Sequence, residues 1–306
     1  MHQRPLISVA LLSHNRPATL GRAIESVLGQ TYRPIELIVV DNPSPRTAEI
    51  ESLVARYEGV RFIRNPRNLG FSGGINVGIN AATGPLTYVT EDDIVLEPEC
   101  LSLLQRHLAS HPDIGFATAM LLDERTRSIL SAGGEYELGP IFKLRFHGHG
   151  EVDRGQFQEP FDAPYVLGGA LLASTAFLRE LGAFRDDFVL YYEDLELCVR
   201  ASAAGKRLTV VPAAKALHLQ APPSPPSLPV ELHRIKNLFA LYLLHARWTA
   251  FPGFVARFGV MDFLRSLRSN PRRALLHLRS AAWISANLPR LLAQRRVGRR
   301  ASGPRS

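Results

Sequence analysis

Cysteine is nearly absent from this 306-residue chain: only Cys100 and Cys198 occur, far apart and in no metal-ligand spacing. That excludes a disulfide framework and a cysteine-based zinc site, and fits a reducing compartment. Long apolar runs are missing too. The helical segments of the C-terminal third are interrupted by arginine throughout, so a membrane-spanning helix is not expected. The opening apolar run, Leu6 to Leu12, is short and stops at His14 and Arg16; it reads as a strand rather than a signal peptide. Acidic residues are scarce in one region only. Residues 231 to 306 carry 15 Lys/Arg and 2 Asp/Glu, a net +13, whereas residues 1 to 230 carry 21 and 26, a net −5. Such a basic end suits an anionic surface, membrane or nucleic acid. No basic, aromatic-interleaved groove motif accompanies it, so nucleic acid is not expected as a partner. The remaining composition, 46% hydrophobic and 21% charged, is ordinary for a globular protein of one large domain or two.

What is present is a repeated alternation of strand and helix. LISVALL (6–12) reads as a buried strand. Pro17 suits the first turn of a helix, and Leu20, Ala23, Ile24, Val27 and Leu28 follow at helical spacing. Then come a strand at 35–40, a helix at 46–57, a strand at 60–64, a helix at 70–81 and a strand at 86–90. This pattern predicts an α/β fold, a Rossmann-like, mostly parallel sheet with helices on both faces and right-handed crossovers. Further on, a helix is expected at 98–110, a strand at 114–121, and a hairpin with loops at 128–160. An apolar strand at 165–173 is broken by Gly168-Gly169, and a helix follows at 175–182. A helix begins near Glu193, and a strand spans 207–211. PPSPPSLP forms a semi-rigid linker. The expected organisation is a body at 1–221, divided near 97/98, then a linker at 222–230. Basic amphipathic helices at 231–295 and a basic disordered tail at 296–306 complete the chain. These helices suit a membrane interface, and packing on the body or on a second copy as a homo-oligomer explains them equally well.

Chemistry concentrates where strands end. Glu91-Asp92-Asp93 follows the 86–90 strand; it is either a solvated turn or a post for a divalent cation and a phosphate. Asp41 can accept a base N–H or a ribose hydroxyl, and is equally explicable as a turn former before Pro43. Glycines 70, 73, 74 and 78 each cost about 1 kcal/mol inside a helix relative to alanine. Close approach of backbone to a ligand or a strand would compensate, and a helix N-terminus there could face a diphosphate. Glu193 and Asp194 open a helix, where acidic residues also suit the dipole. His218 is expected in a loop seven residues past a strand. His147 and His149 read as exposed loop residues.

In order, these segments resemble the inverting GT-A glycosyltransferases of family 2, in particular bacterial rhamnosyltransferase-like members. The resemblance runs from about residue 6 to residue 224 and rests on SHNR (13–16), Asp41-Asn42, NLGFSGGINVG (68–78), Glu91-Asp92-Asp93, Val166 to Ala170, and YEDLELCVR (192–200). It implies a non-processive, peripheral cytoplasmic enzyme on the inner face of the cell membrane. The donor would be a nucleotide-diphosphate sugar, best rhamnose from dTDP-rhamnose, and the acceptor a polyprenyl-linked or cell-envelope glycan. Ser13, Asn15, Arg16 and Asp41 would hold base and ribose; Asn68, Gly70, Gly74 and Asn76 would line the sugar side, with Asp92 on ribose or sugar. Asp93, with His218, would ligate Mg²⁺ or Mn²⁺. Asp194 would be the general base, with Glu193, Gly168 and Gly169 at the acceptor. Glu91 and Ile75 depart from the family pattern, and Leu244 to Trp248 lacks the glutamine of the Q-x-x-R-W motif of processive polysaccharide synthases, which disfavours that class. A catalytically silent nucleotide-sugar-binding scaffold is the other reading.

Overall fold

The structure, a computed structural model, describes residues 4–219 and 228–301, with side chains as far as Arg295. Seven consecutive buried residues make Ile7–Ser13 a central strand, β1. A run apolar on both faces needs cover above and below. The following elements supply it: α1 (Pro17–Leu28), β2 (Ile35–Asp41), α2 (Thr47–Val54), β3 (Arg61–Arg64), α3 (Gly70–Ala81) and β4 (Leu86–Glu91). β4, β1, β2 and β3 lie side by side, all parallel, as the alternation predicts. Register places Ser13 beside Asp41 and Leu12 beside Glu91. Parallel strands end at one edge of a sheet, so these residues emerge together.

The chain continues through β5 (Ile94–Leu96), α4 (Cys100–Ser110), β6 (Ile114–Asp123), β7 (Ile129–Ser131), the hairpin β8 (Gly134–Leu138) and β9 (Phe142–Phe146), and β10 (Phe161–Asp162). β11 (Ala170–Ser174), α5 (Thr175–Glu180), α6 (Glu193–Ala203) and β12 (Arg207–His218) follow. The sheet order is β10-β12-β6-β11-β4-β1-β2-β3. β12 is parallel to β6, but β11 is antiparallel to both β4 and β6. It arrives from a long excursion rather than a helical crossover, so it can enter the sheet from the opposite end.

Three features of the sheet differ from expectation. The strand in YVLGGALLA begins only at Ala170, because Gly168-Gly169 forms a turn. β5 was not foreseen; it pairs antiparallel with the end of β12. β12 itself runs on through Pro212, where its pairing shifts between Val211 and Lys215, a bulge that tolerates proline. His218 therefore closes a strand instead of lying in a loop.

The C-terminal helices are α7 (Leu228–His245), α8 (Phe251–Phe254), a π-helical stretch Val255–Met261, α9 (Asp262–Ser269) and α10 (Pro271–Ala301). Residues 228–230, expected in the linker, open α7; residues 222–227 lie outside the described residues, as do 302–306 of the tail. The backbone of 296–301 continues α10. α7 is no separate appendage. Leu238, Leu241, Tyr242 and Leu244 share one apolar core with Phe188, Leu195 and Ile75. A second core on the other sheet face joins α1, α2 and α4. Some of the basic charge serves internally: buried Arg295 donates to the Leu243 carbonyl at 2.7 Å, and its guanidinium lies 4.1 Å from the Trp248 ring centre. Among the described residues no helix is long and apolar enough to cross a membrane.

Candidate functional site

The carboxyl ends of β1 and β4 build the first part of the site. The backbone N–H of His14 donates to Asp92 Oδ2 at 2.8 Å, and Arg16 bonds both Asp92 (3.2 Å) and Asp93. Asp92 and Asp93 are buried, so the acidic triplet is no solvated turn. Burial raises Asp92 to about 6 against the pull of the His14 N–H and Arg16. The antiparallel pairing of β12 with β5 sets His218 beside Ile94, which brings His218 Nε2 to 3.7 Å from Asp93 Oδ2. Burial holds His218 below its usual value and favours the neutral, ligating imidazole. Among the described residues no three ligating side chains converge. One carboxylate and one imidazole nevertheless fit Mg²⁺ or Mn²⁺, which take remaining oxygens from phosphates and water.

Next to this edge lies a cleft of ≈ 470 Å³. Of the expected donor residues, Arg16, Asn68, Gly70 and Asp92 line it, together with His14, Asn42 and Glu91. Asn42 organises its floor: it donates to the Gly70 carbonyl (2.8 Å) and accepts from Asn65 (3.0 Å) and Leu69 N–H (3.2 Å). Gly70 has φ +71°, and a Cβ there would lie 2.4 Å from a Val189 methyl, which explains the glycine. The N-terminus of α3 does not offer its amides to a diphosphate. Asn68 Oδ1 takes the Gly70 N–H and the Val189 carbonyl takes that of Phe71, at 2.8 and 2.7 Å.

The other expected donor residues stand differently. Ser13 and Asp41 are fully buried, and none of their side-chain oxygens makes a hydrogen bond of ordinary geometry among the described residues. Burial raises the Asp41 carboxyl, with Thr47 and Arg64 opposing. Asn15 is exposed at φ +61°. Gly74 packs against Leu12 and Asn42. Asn76 is brought elsewhere: its amide bonds the Phe184 carbonyl (2.7 Å) and Asp186 (2.8 Å), on the outer side of α3.

The second part of the site is the start of α6. Asp194, half-buried, accepts from the Tyr165 hydroxyl at 2.5 Å and from the Leu195 N–H at 2.7 Å. Burial raises its carboxyl, and these donors with the Gly168 N–H restrain the rise. Gly168 and Gly169 pass between two acids: a Cβ on Gly168 would meet the Asp194 Cβ at 3.0 Å, and one on Gly169 would meet Glu91 Oε1 at 2.9 Å. Glu91 thus stands between the Asp92–Asp93 end and Asp194. Burial, then Asp93 and Asp92, push Glu91 up to about 8. Glu193 is buried with Oε2 unpartnered, and burial, Asp194 and Glu91 raise it well above the carboxylate range. Val189, Tyr191 and Tyr192, leading into α6, all have positive φ. Such strain persists only where surroundings enforce it. Asn237 on α7 does so: its amide nitrogen lies 2.6, 2.8 and 2.7 Å from the carbonyl oxygens of Phe188, Leu190 and Tyr191.

Sequence reasoning missed Tyr165, His14 and Asn237 as site components, and the α7 residues Pro229, Val230 and His233, which close the cleft. Tyr165 and His14 lie inside segments singled out for other residues. Nothing local marks Asn237.

A family model described as "Glycosyl transferase family 2" matches residues 8–152, and one described as "Glycosyl transferase family group 2" matches residues 86–286. An uncharacterized protein of Sinorhizobium fredii is 28% identical over 71% of this chain, which spans 25% of that protein. The chain covers about half the length of two uncharacterized glycosyltransferases it also matches. The N-acetylglucosaminyl-diphospho-decaprenol L-rhamnosyltransferase of Mycobacterium tuberculosis is 23% identical over 88% of this chain and 97% of its own length. Among solved structures, GalNAc-T7 with UDP, GalNAc and Mn²⁺ superposes with a TM-score of 0.66 at 17% identity, over 94% of this chain and 58% of that one. The shared fold is GT-A.

Proposed function

The chain belongs to glycosyl transferase family 2, and from that membership we propose that it is a non-processive, metal-dependent inverting glycosyltransferase. It moves a sugar, best rhamnose from a dTDP donor, to a polyprenyl-linked or cell-envelope glycan. The observation that carries this reading is Asp194, held by Tyr165 and Leu195 N–H across Glu91 from the Asp92–Asp93–His218 end. Two chemistries are needed on opposite faces of a sugar, and this reading assigns the base to Asp194 and the phosphate side to the Asp92–Asp93–His218 end. The rhamnosyl and lipid-linked assignments draw on the mycobacterial relative.

Arg16, Asn68, Gly70 and Asp92 hold the nucleotide sugar along the cleft. Asp41 and Ser13, which make no hydrogen bond of ordinary geometry among the described residues, suit a base N–H or a ribose hydroxyl. Asp93 and His218 would hold Mg²⁺ or Mn²⁺, which offsets charge on the departing diphosphate. Asp194 takes the proton of the acceptor hydroxyl as that oxygen bonds the anomeric carbon and the bond to the diphosphate oxygen breaks. A positioned base contributes roughly 10²–10⁴-fold. Asp194→Asn should abolish transfer while dTDP binding persists in a thermal-shift assay; undiminished turnover would sink the assignment. Asp93→Asn should weaken Mn²⁺-dependent dTDP binding, and an unchanged Mn²⁺ requirement would refute its metal role.

The same reading places the protein on an anionic membrane. Val260, Met261, Leu264, Leu267, Leu275 and Leu278 are 47–55% exposed, with Arg257, Arg265, Arg268 and Arg272 exposed among them. Two copies of this face would set arginines against arginines, whereas acidic lipid complements it. The full chain should co-sediment with phosphatidylglycerol vesicles, and Leu264→Glu with Leu275→Glu should release it. Equal binding to phosphatidylcholine would contradict the electrostatic share.

A further inference from the structure

Beside the donor cleft, and sharing Val189 and His233 with it, lies a second cavity of ≈ 390 Å³ between α7 and α10. Its wall is cationic. Lys236 of α7 and Arg279 and Arg290 of α10 line it, with the Trp283 ring beside them. Its one acidic lining residue, Asp187, is already engaged by Arg185 at 2.7 Å and by Arg290 at 2.9 Å. Lys236 is 6% exposed. Its ammonium forms no ion pair among the described residues; it donates to the Asp187 carbonyl and sits 4.4 Å from the Trp283 ring centre. Burial pulls this lysine down to about 8, with Arg290 and Arg185 adding repulsion against the favourable pull of Asp187. A buried ammonium short of a counter-charge is costly unless an anion completes it. Arg279 is exposed and has neither an ion pair nor a hydrogen bond among the described residues.

A cavity with three cations and one neutralised carboxylate suits a ligand carrying more than one negative charge, since charge-assisted bonds to phosphate are strong. Its position suits an acceptor. The wall at Val189 and His233 joins it to the cleft where the sugar is transferred. Leu275 and Leu278, within one turn before Arg279 on α10, are half exposed and offer apolar surface to a prenyl chain. We propose that this cavity binds the diphosphate of a lipid-linked acceptor, with Lys236, Arg279 and Arg290 on the phosphates, so that the first acceptor sugar reaches the donor cleft. The assignment rests on the transferase reading.

The chain has two tryptophans, so Trp248→Phe leaves Trp283 as a reporter inside the cavity and keeps an aromatic face for Arg295. In the full-length protein without metal, farnesyl diphosphate should change Trp283 fluorescence saturably. Arg279→Gln, at an exposed position that leaves folding untouched, should weaken that binding at least tenfold; Lys236→Gln should do the same. Inorganic pyrophosphate should compete, and phosphatidylglycerol vesicles alone should leave the signal unchanged. No saturable response, equal affinity in Arg279→Gln, or displacement by dTDP would overturn the proposal. An equal response to phosphatidylglycerol would reassign the cavity to a lipid headgroup and overturn it as well. dTDP binding with Mn²⁺, read by thermal shift, separates the two claims. If it persists while farnesyl diphosphate fails to bind, the acceptor cavity falls and the transferase reading stands; if dTDP itself fails to bind, the transferase reading falls.

Discussion

Tyr165 donates its hydroxyl to Asp194 and thereby favours the ionised carboxylate, the form that the proposed general base needs. The sign of its removal follows. Tyr165→Phe deletes a group that lowers the Asp194 pKa, so that pKa rises and less base is present at a given pH. The acidic limb of the kcat/KM profile should therefore move to higher pH, with donor KM unchanged. A profile identical to the parent would show that Tyr165 is not coupled to the base. Glu91 is the residue whose place changed most. It departs from the family pattern, yet it stands against Gly169 between the two halves of the site, pushed up to about 8 by burial and by Asp93 and Asp92.

At the scale of elements, the start of α6 depends on α7. Three residues before α6 hold positive φ, and the amide of Asn237 meets three carbonyls of the segment 188–191. Asn237 is fully buried, so its removal leaves the buried Phe188 carbonyl unpaired. Asn237→Ala should cost about 1–3 kcal/mol in denaturant unfolding and should lower kcat more than donor affinity. Stability and kcat both unchanged would mean that the 189–192 turn holds itself. Helix α3 tells a complementary story. Its extent, Gly70–Ala81, coincides with the expected span. Its glycines serve packing: a Cβ on Gly78 would lie 2.8 Å from that of Ala10. The helix comes close to β1 because those positions are bare, and its first amides are satisfied by Asn68 and Val189.

At the scale of the molecule, the basic C-terminal helices share one of the two cores of the α/β body. Glu196 is a joint between them. It pairs with Arg200 at 2.7 Å and with His245 of α7 at 3.1 Å, while only 1% exposed. Burial opposes its ionised form, but Arg200 and His245 outweigh that and hold it down to about 2, against a usual 4.5. A depressed carboxylate stabilises the fold above its unfolded value, and that contribution is lost as pH falls through the folded value. Between pH 4.5 and 2 the protein should lose on the order of 3 kcal/mol through this group. Glu196→Gln should flatten that loss in acid-unfolding curves and lower Tm at neutral pH. Parent and variant curves of the same slope would contradict the joint.

Periodicity in the sequence determined the alternating strands and helices of the first half, because an apolar run of period two or 3.6 can bury its face in few ways. The ordered motifs determined the family and brought Asp92, Asp93, Asp194 and Glu193 to notice. Only the tertiary structure decided what joins them. The reversed direction of β11, the continuation of β12 through a bulge to His218, and the reach of Tyr165 to Asp194 depend on contacts between residues distant in sequence. The same holds for Asn237 and Lys236. Local pattern marks α7 as a basic amphipathic helix. Which of its polar groups face a strained turn and which face a cavity depends on how that helix packs against the body.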